Sequence, residues 1–271
     1  MAYLEWEMQW LMMSAWANST KKALSTEYKA FKAFCRLFNI NSLPVTGHQL
    51  AMYGTWLLSS GRIKSTGSLR QYLSAVRTLH RRIGLDCPTP KSYGPLDMVV
   101  RGSRRSAQRP IHRTLPVTPK LLKYILSTKP TDPLCATQYQ LLTVLKAVAL
   151  IYFLSMLRSS NLLPTSRKSI NLKKILTWGD ISRSKEGLVL SVRETKTIQH
   201  SERVQTIPLP AAPNPAWCPV RTLDALVCIY GPENCRANTP VFRVPSRSGK
   251  SWVTLEKHEF ERFFKKLPRP I

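Results

Sequence analysis

Apolar residues recur with a helical period through the first hundred positions and change to alternation only beyond residue 170. Leu24, Tyr28, Phe31, Phe34, Cys35 and Phe38 share one face of a helix predicted from Asn18-Ser19-Thr20 to about Phe38. Lys22, Lys29, Lys32 and Arg36 fall on the opposite face. Pro44 breaks the chain, and Thr46 followed by Gln49 forms a capping-box pattern. A second helix then carries Leu50, Tyr53, Trp56 and Leu57 to Gly61. Ser65 to Ile83 predicts a third, with Leu69, Tyr72, Leu73, Val76, Leu79 and Ile83 as its buried stripe. Arg70, Arg77 and Arg81 line up on its far side, and Gly84 is placed to stop it. Gly94-Pro95 opens a fourth helix to about Arg105, and the basic, proline-punctuated residues 106–117 read as a linker. Ahead of all these, residues 1–18 form an apolar extension with Glu5 and Glu7 and no basic residue. It lacks the positive start of a signal peptide and reads as a packing or partner-binding helix.

In the second half, Thr118-Pro119 starts a helix to about Thr128. The longest apolar run follows, Leu141 to Leu157, interrupted only by Lys146. It falls short of the roughly 18 uninterrupted apolar residues of a membrane span. A buried core helix ending at Arg158 is the expectation. Two readings fit Arg158: a positive charge capping the helix C-terminus, or a guanidinium held out to grip a phosphate in bidentate fashion. Past Pro164, alternation predicts strands at Ile175–Trp178, Leu188–Val192 and Val204–Leu209, with turns at 184–187 and 199–202. Arg193, Lys196 and Arg203 flank the second hairpin. A helix from Pro219 to Tyr230, an extended piece from Pro240 to Val244 and a helix from Thr254 to Leu267 complete the pattern.

Charge changes the picture. Forty-one Lys+Arg against fifteen Asp+Glu give +26 and a pI near 10.3. Such self-repulsion strains a compact fold unless a polyanion relieves it, and nucleic acid is the leading partner. An anionic membrane ranks behind it, because nothing resembles an anchor. Through residue 115 there are seventeen Lys+Arg and five Asp+Glu, or +12. Two helices there segregate basic from apolar residues, which favours a concave surface facing double-stranded DNA over merely solvated faces. The candidate DNA-binding residues are Lys22, Lys29, Lys32, Arg36, Lys64, Arg70, Arg77, Arg81, Arg104, Arg105 and Arg113. None is assignable to a base edge. The six cysteines form no CxxC and match no zinc spacing. They read as core thiols in a reducing compartment, with no metal and no cofactor required.

The order of parts resembles the tyrosine recombinase (phage integrase) family. A basic four-helix domain and linker precede a helix delivering Leu157-Arg158-Ser159-Ser160-Asn161, a three-stranded sheet with a lysine at its second hairpin, and a Cys218-Pro219-Val220-Arg221 helix. Leu157 to Pro164 looks most like recombinases of eukaryotic mobile elements such as DIRS-type retrotransposons. Thr66 to Arg77 resembles the family's core-binding helix. The resemblance implies a fold that is mainly α with a small antiparallel β-sheet. It comprises an extension (1–18), a helical core-binding domain (19–105), a linker (106–117) and an incomplete α+β catalytic domain (118–271). It also implies metal-free strand exchange, in which a tyrosine forms a 3′-phosphotyrosine, two arginines stabilise the phosphate, a lysine protonates the leaving oxygen and a histidine assists. Arg158 carries over as the first arginine and Lys196 as the hairpin lysine, both as vestigial catalytic residues.

The rest of that pattern is missing. His258-Glu259-Phe260-Glu261 has glutamate where the family's His-x-x-Arg has arginine, and no tyrosine follows Tyr230. Tyr230 ends an apolar helix and reads as a packing residue. The expectation is a nuclear, DNA-binding protein of recombinase type that does no strand cleavage as written, with self-association on DNA and no membrane or metal partner. The alternatives are the front part of an active recombinase, and a basic RNA-binding protein.

Overall fold

A computed structural model describes residues 1–106, 117–132, 134–195, 203–246, 248–249 and 251–266. The protein is mainly helical, with one antiparallel sheet of three strands and another of two. It divides into two compact units, Met1–Arg113 and Thr114–Ile271, each with its own apolar core.

The first unit contains α1 (Ala2–Ser14), α2 (Asn18–Leu37), α3 (Gly47–Ser59), α4 (Thr66–Arg82) and α5 (Gly94–Ser106). Phe31 and Phe34 from α2, Tyr53 and Leu57 from α3, Leu69 and Val76 from α4 and Leu96 from α5 meet in its core. Phe31 and Phe34 approach the Tyr53 ring with centroids 5.1 and 5.2 Å away. Such pairs add about 0.5–1.5 kcal/mol beyond the area they bury. The Thr46 capping box forms as read, with both reciprocal bonds made, and the Ser65 hydroxyl caps α4. Gly84 adopts the left-handed conformation just past α4. By contrast, α2 has Ala17 at its cap position without a side-chain bond, so Asn18-Ser19-Thr20 already belongs to the helix. Phe38 and Ile83, read as buried, are exposed because each lies past the last turn that reaches the core.

Two buried polar side chains tie these helices together. His80 is fully buried; its Nε2 accepts from the Val45 N–H at 3.0 Å, so Nδ1 carries the hydrogen and donates to the Val76 carbonyl at 2.9 Å. The buried Glu27 carboxylate accepts from Gln71 Nε2 at 2.5 Å, joining α2 to α4. Burial pushes this carboxyl above the usual range, and the Gln71 bond pulls the other way.

The second unit contains α6 (Pro119–Ser127), α7 (Ala136–Ser155), α8 (Ser159–Leu162), β1 (Ile181–Ser184), β2 (Gly187–Val192), β3 (Gln205–Pro210), α9 (Pro219–Tyr230), β4 (Arg243–Pro245), β5 (Trp252–Thr254) and α10 (Lys257–Lys266). The larger sheet runs β1-β2-β3, with Leu190 opposite both Ile181 and Ile207 and Leu188 opposite Leu209. By length and composition α7 could cross a membrane. Here Val144, Leu145 and Ala147–Ile151 are buried among α6, α9, β3 and β4. Burial also pushes the Lys146 ammonium below its usual range.

Several expectations need correction. The first strand is Ile181–Ser184, not Ile175–Trp178. Ile175, Leu176 and Thr177 are buried and extended, but they serve as a connection: Thr177 bridges Pro240, and a single 3-10 turn, Trp178–Asp180, follows. The true β1 is an edge strand whose exposed polar residues show no apolar alternation. The extended piece near Val244 is β4, whose partner β5 occupies the stretch before α10, so that helix starts at Lys257 rather than Thr254. Finally, α7 ends at Ser155 and Met156 is left-handed, so Arg158 stands ahead of α8 and does not cap the C-terminus of α7. Leu267, Lys196, the turn at 199–202 and most of the linker lie outside the described residues.

The raised Glu27 carboxyl gives a signed pH effect. A folded state that holds its proton more tightly than the unfolded chain loses that contribution as pH rises through the folded value. Glu27→Gln, which keeps an oxygen for Gln71, is therefore expected to gain stability over the parent progressively between about pH 4 and pH 7. Urea unfolding at both pH values measures it. A difference that does not grow with pH would mean that burial does not raise this carboxyl above its usual range.

Candidate nucleic-acid interface

In the first unit, Arg70, Ser74 and Arg77 recur at i, i+4 and i+7 along α4 and reach one groove of about 550 Å³. Its facing wall is Pro88–Lys91 together with Leu96, Asp97 and Val100 of α5. Arg70 and Arg77 thus flank the buried stripe, sharing the groove with buried Leu73, rather than standing opposite it as the sequence suggested. The opposite side of α4 carries Ala75, Thr78, Leu79 and Arg82 toward α2. Arg81 continues the Arg70–Arg77 row by one more turn. Burial pushes the Cys87 thiol up, while nearby Arg77 and Arg81 pull it the other way.

The wall of this groove is built, not loose. Thr89 and Ser92 exchange bonds, the Thr89 N–H donating to Ser92 Oγ at 2.8 Å and the Ser92 N–H to the Thr89 carbonyl at 3.0 Å. Beyond them the Tyr93 ring lies flat against Gly47, where an added Cβ would sit 2.5 Å from the ring. Lys91, a residue the helical pattern passed over because it lies in a loop, is thereby set exposed at the groove. The groove's one carboxylate, Asp97, is engaged by Arg101 at 2.7 Å. Among the described residues Arg70, Arg77, Arg81 and Lys91 make no ion pair. Three unanswered cations, Arg70, Arg77 and Lys91, therefore line one concavity, with Arg81 one turn beyond it on α4.

The other sequence candidates are more dispersed. Lys22, Lys29, Lys32 and Arg36 are exposed along α2 as read, with Lys32 over the Tyr28 ring. Lys64 is exposed before α4, and Arg104 and Arg105 at the end of α5. Arg62, not singled out from the sequence, lies 4.6 Å above the Trp56 ring. Arg113 lies outside the described residues.

In the second unit, Leu157 is buried and Arg158 exposed, and the Arg158 guanidinium has no partner among the described residues. Three residues on, buried Asn161 uses both ends. Its carbonyl accepts from the Leu176 N–H at 2.9 Å and its Nδ2 donates to the Glu194 carbonyl at 2.8 Å. The Arg158 turn is thereby tied to the chain leaving β2, two residues before Lys196. Arg193 is not available to a ligand, because its Nη2 donates to Asp180 at 2.7 Å and to the Leu172 carbonyl at 2.9 Å.

Tyr230 is a packing residue, as its sequence context implied. It is buried, its hydroxyl donates to the Arg243 carbonyl at 2.8 Å and accepts the Arg243 N–H at 3.0 Å, and the Trp252 ring meets it edge-on at 4.6 Å. Burial pushes its hydroxyl above the usual tyrosine range, and Arg243 takes up both its donor and its acceptor capacity. His258 lies in the first turn of α10, with Nδ1 3.1 Å from Glu256. Glu256 and Glu259 also receive Arg167, whose Nη2 reaches Glu259 at 2.6 Å and whose backbone N–H reaches Glu256 at 2.6 Å. These carboxylates are committed to an ion-pair knot that secures α10. No protein-family model matches the chain, and no curated protein is detectably similar to it.

Two substitutions test these assignments. Asn161→Asp removes the donor to Glu194 and sets a carboxylate against a carbonyl. Tyr230→Phe leaves the Arg243 N–H unanswered. Each is expected to cost the second unit about 1–3 kcal/mol, read from the midpoint of chemical unfolding. A wild-type midpoint for either would remove that bond from the account of what holds the unit together.

Proposed function

We propose that this chain binds double-stranded DNA through its first unit, with the α4 groove seating the phosphate backbone. In this reading it is a DNA-binding protein of tyrosine-recombinase type that performs no strand cleavage with the residues present. The observation that carries the DNA part is the convergence of Arg70, Arg77 and Lys91 on one groove whose carboxylate is already paired with Arg101. Cations without protein partners attract phosphates at close range, and each phosphate neutralised releases counterions. The exposed row on α2 supplies further sequence-independent attraction. These contacts position a duplex without reading its sequence. In a eukaryotic cell such a partner implies a nuclear setting.

The recombinase part rests on the resemblance around Arg158 and on the order of elements, a helical unit followed by helices around a small antiparallel sheet. Arg158 would hold a phosphate, but covalent catalysis also needs an accessible tyrosine, and Tyr230 is withdrawn from that role by its bonds to Arg243. One observation favours a second reading, in which these residues are the front part of an active recombinase. Arg158 stands unpaired, and Asn161 braces the segment that leads to Lys196. A longer protein would then supply the histidine, second arginine and tyrosine.

Replacing Arg70, Arg77 and Lys91 by alanine is expected to weaken duplex binding and to flatten the dependence of log K on log salt by about 0.9 per lost phosphate contact. Substituting Arg158 should cost little affinity, one contact among many. Fluorescence anisotropy over a salt series measures both, and an unchanged slope in the triple variant would remove α4 from the interface. A nicked suicide substrate should yield no covalent adduct with the 271-residue chain. Equal competition by RNA and duplex DNA at fixed salt would favour the RNA-binding alternative.

A further inference from the structure

The DNA reading leaves α1 without a role. Tyr3, Leu4, Trp6, Met8, Trp10 and Leu11 are all more than half exposed, so this helix shows apolar surface on every side. Isolated exposed apolar residues are ordinary, but a whole helix of them marks an interaction surface. Its charge is as unusual as its exposure. α1 carries Glu5 and Glu7, and the first basic residue of the chain is Lys21. Among the described α-helices it alone is net acidic, in a chain of +26.

A matching surface lies on the same unit. Between α2 and α4 runs a groove of about 390 Å³, with Trp16 of the α1–α2 connection, Leu24, Tyr28, Ala75 and Leu79 as its apolar lining and Lys21 and Arg82 among its edges. Tyr28 and Leu79 were expected in the core, yet both line this open groove and stay half-exposed. The chain's own α1 does not fill the groove: Ala15 continues the helical geometry, and α1 remains exposed all round. Tyr3, Trp6 and Trp10 fall on one face of α1, at i, i+3 and i+7, with Glu7 at its edge. An aromatic stripe edged by Glu7 is the complement of an apolar groove edged by Lys21 and Arg82.

We propose that α1 docks into the α2–α4 groove of a second copy of this chain, and that the exchange is reciprocal. A two-fold arrangement places both acidic helices in both basic-rimmed grooves, which is the self-complementarity a closed dimer requires. It covers the chain's most exposed apolar helix and sets Glu7 beside cations, in a molecule whose net charge otherwise opposes association. The groove on the other flank of α4, with Arg70 and Arg77, stays open. Self-association therefore does not rest on the DNA reading and is tested without DNA.

Sedimentation velocity on the full chain should show a concentration-dependent dimer. Glu7→Lys and, separately, Lys21→Glu/Arg82→Glu should each weaken it by about tenfold or more. Combining all three substitutions, which restores opposite charges across the contact, should recover it. Trp6→Ala/Trp10→Ala should also yield monomer. Because α1, Lys21 and Arg82 all lie outside the core, every variant should keep the parental unfolding midpoint at concentrations low enough to leave the parent monomeric, so misfolding is recognised directly. A monomeric parent at all concentrations overturns the proposal, as does a dimer indifferent to the charge swap. Trp6→Ala/Trp10→Ala variants that stay dimeric would equally overturn it.

Discussion

The burial of α7 is the constraint on which the second unit depends. A helix apolar around most of its circumference must be enclosed on several sides, and α6, α9, β3 and β4 do this between Val144 and Ile151. Continuing the helix would carry Leu157 and Leu162 away from that core. The chain instead turns through left-handed Met156, a conformation that costs an L-residue roughly 1–2 kcal/mol. Burial of Leu157, Leu162 and Leu163 immediately afterwards offsets it. Arg158 is exposed because its apolar neighbours are not. Presentation of that guanidinium is thus a consequence of how the core closes.

Buried polar groups in this protein are engaged in holding elements together, and that decides which residues remain free for chemistry. His80 uses both ring nitrogens, Asn161 both ends of its residue, and Tyr230 its hydroxyl twice. Asp180 binds the Thr177 hydroxyl and N–H as well as Arg193. An unanswered buried donor or acceptor costs about 1–3 kcal/mol, so these pairings are held firmly. Residues that invite a catalytic reading by type, Tyr230 and His258 above all, are already spoken for by Arg243 and Glu256.

Cations follow the opposite rule. With so few carboxylates available, most lysines and arginines have nothing in the protein to pair with, and their placement alone distinguishes them. The α2 row lies on a convex helical surface where water and salt screen each charge over about 8–10 Å. Arg70, Arg77 and Lys91 edge a concavity walled by a braced loop, where their charges add. The same helix faces α2 with its other side, leaving an apolar groove edged by Lys21 and Arg82. One helix thereby serves two surfaces of opposite character.

Periodicity alone determined the helices of the first unit, the capping box at Thr46, the enclosure of α7, and strands β2 and β3 of the larger sheet. In each of these the apolar spacing is strong and the required burial is local. It also identified the exposed cations of α2 and α4, because charge and apolarity separate on a helix by simple geometry. Tertiary structure alone decided the rest. Ile175–Thr177 looks like a strand but is buried as a connection, while Ile181–Ser184 lacks any apolar alternation and becomes one by pairing with β2. Lys91 joined Arg70 and Arg77 only through the Thr89–Ser92 turn and the packing of Tyr93 on Gly47, a contact across more than forty residues of sequence. Local patterns record which face a residue must hide. They do not record which distant segment will stand opposite it, and that is what made these grooves.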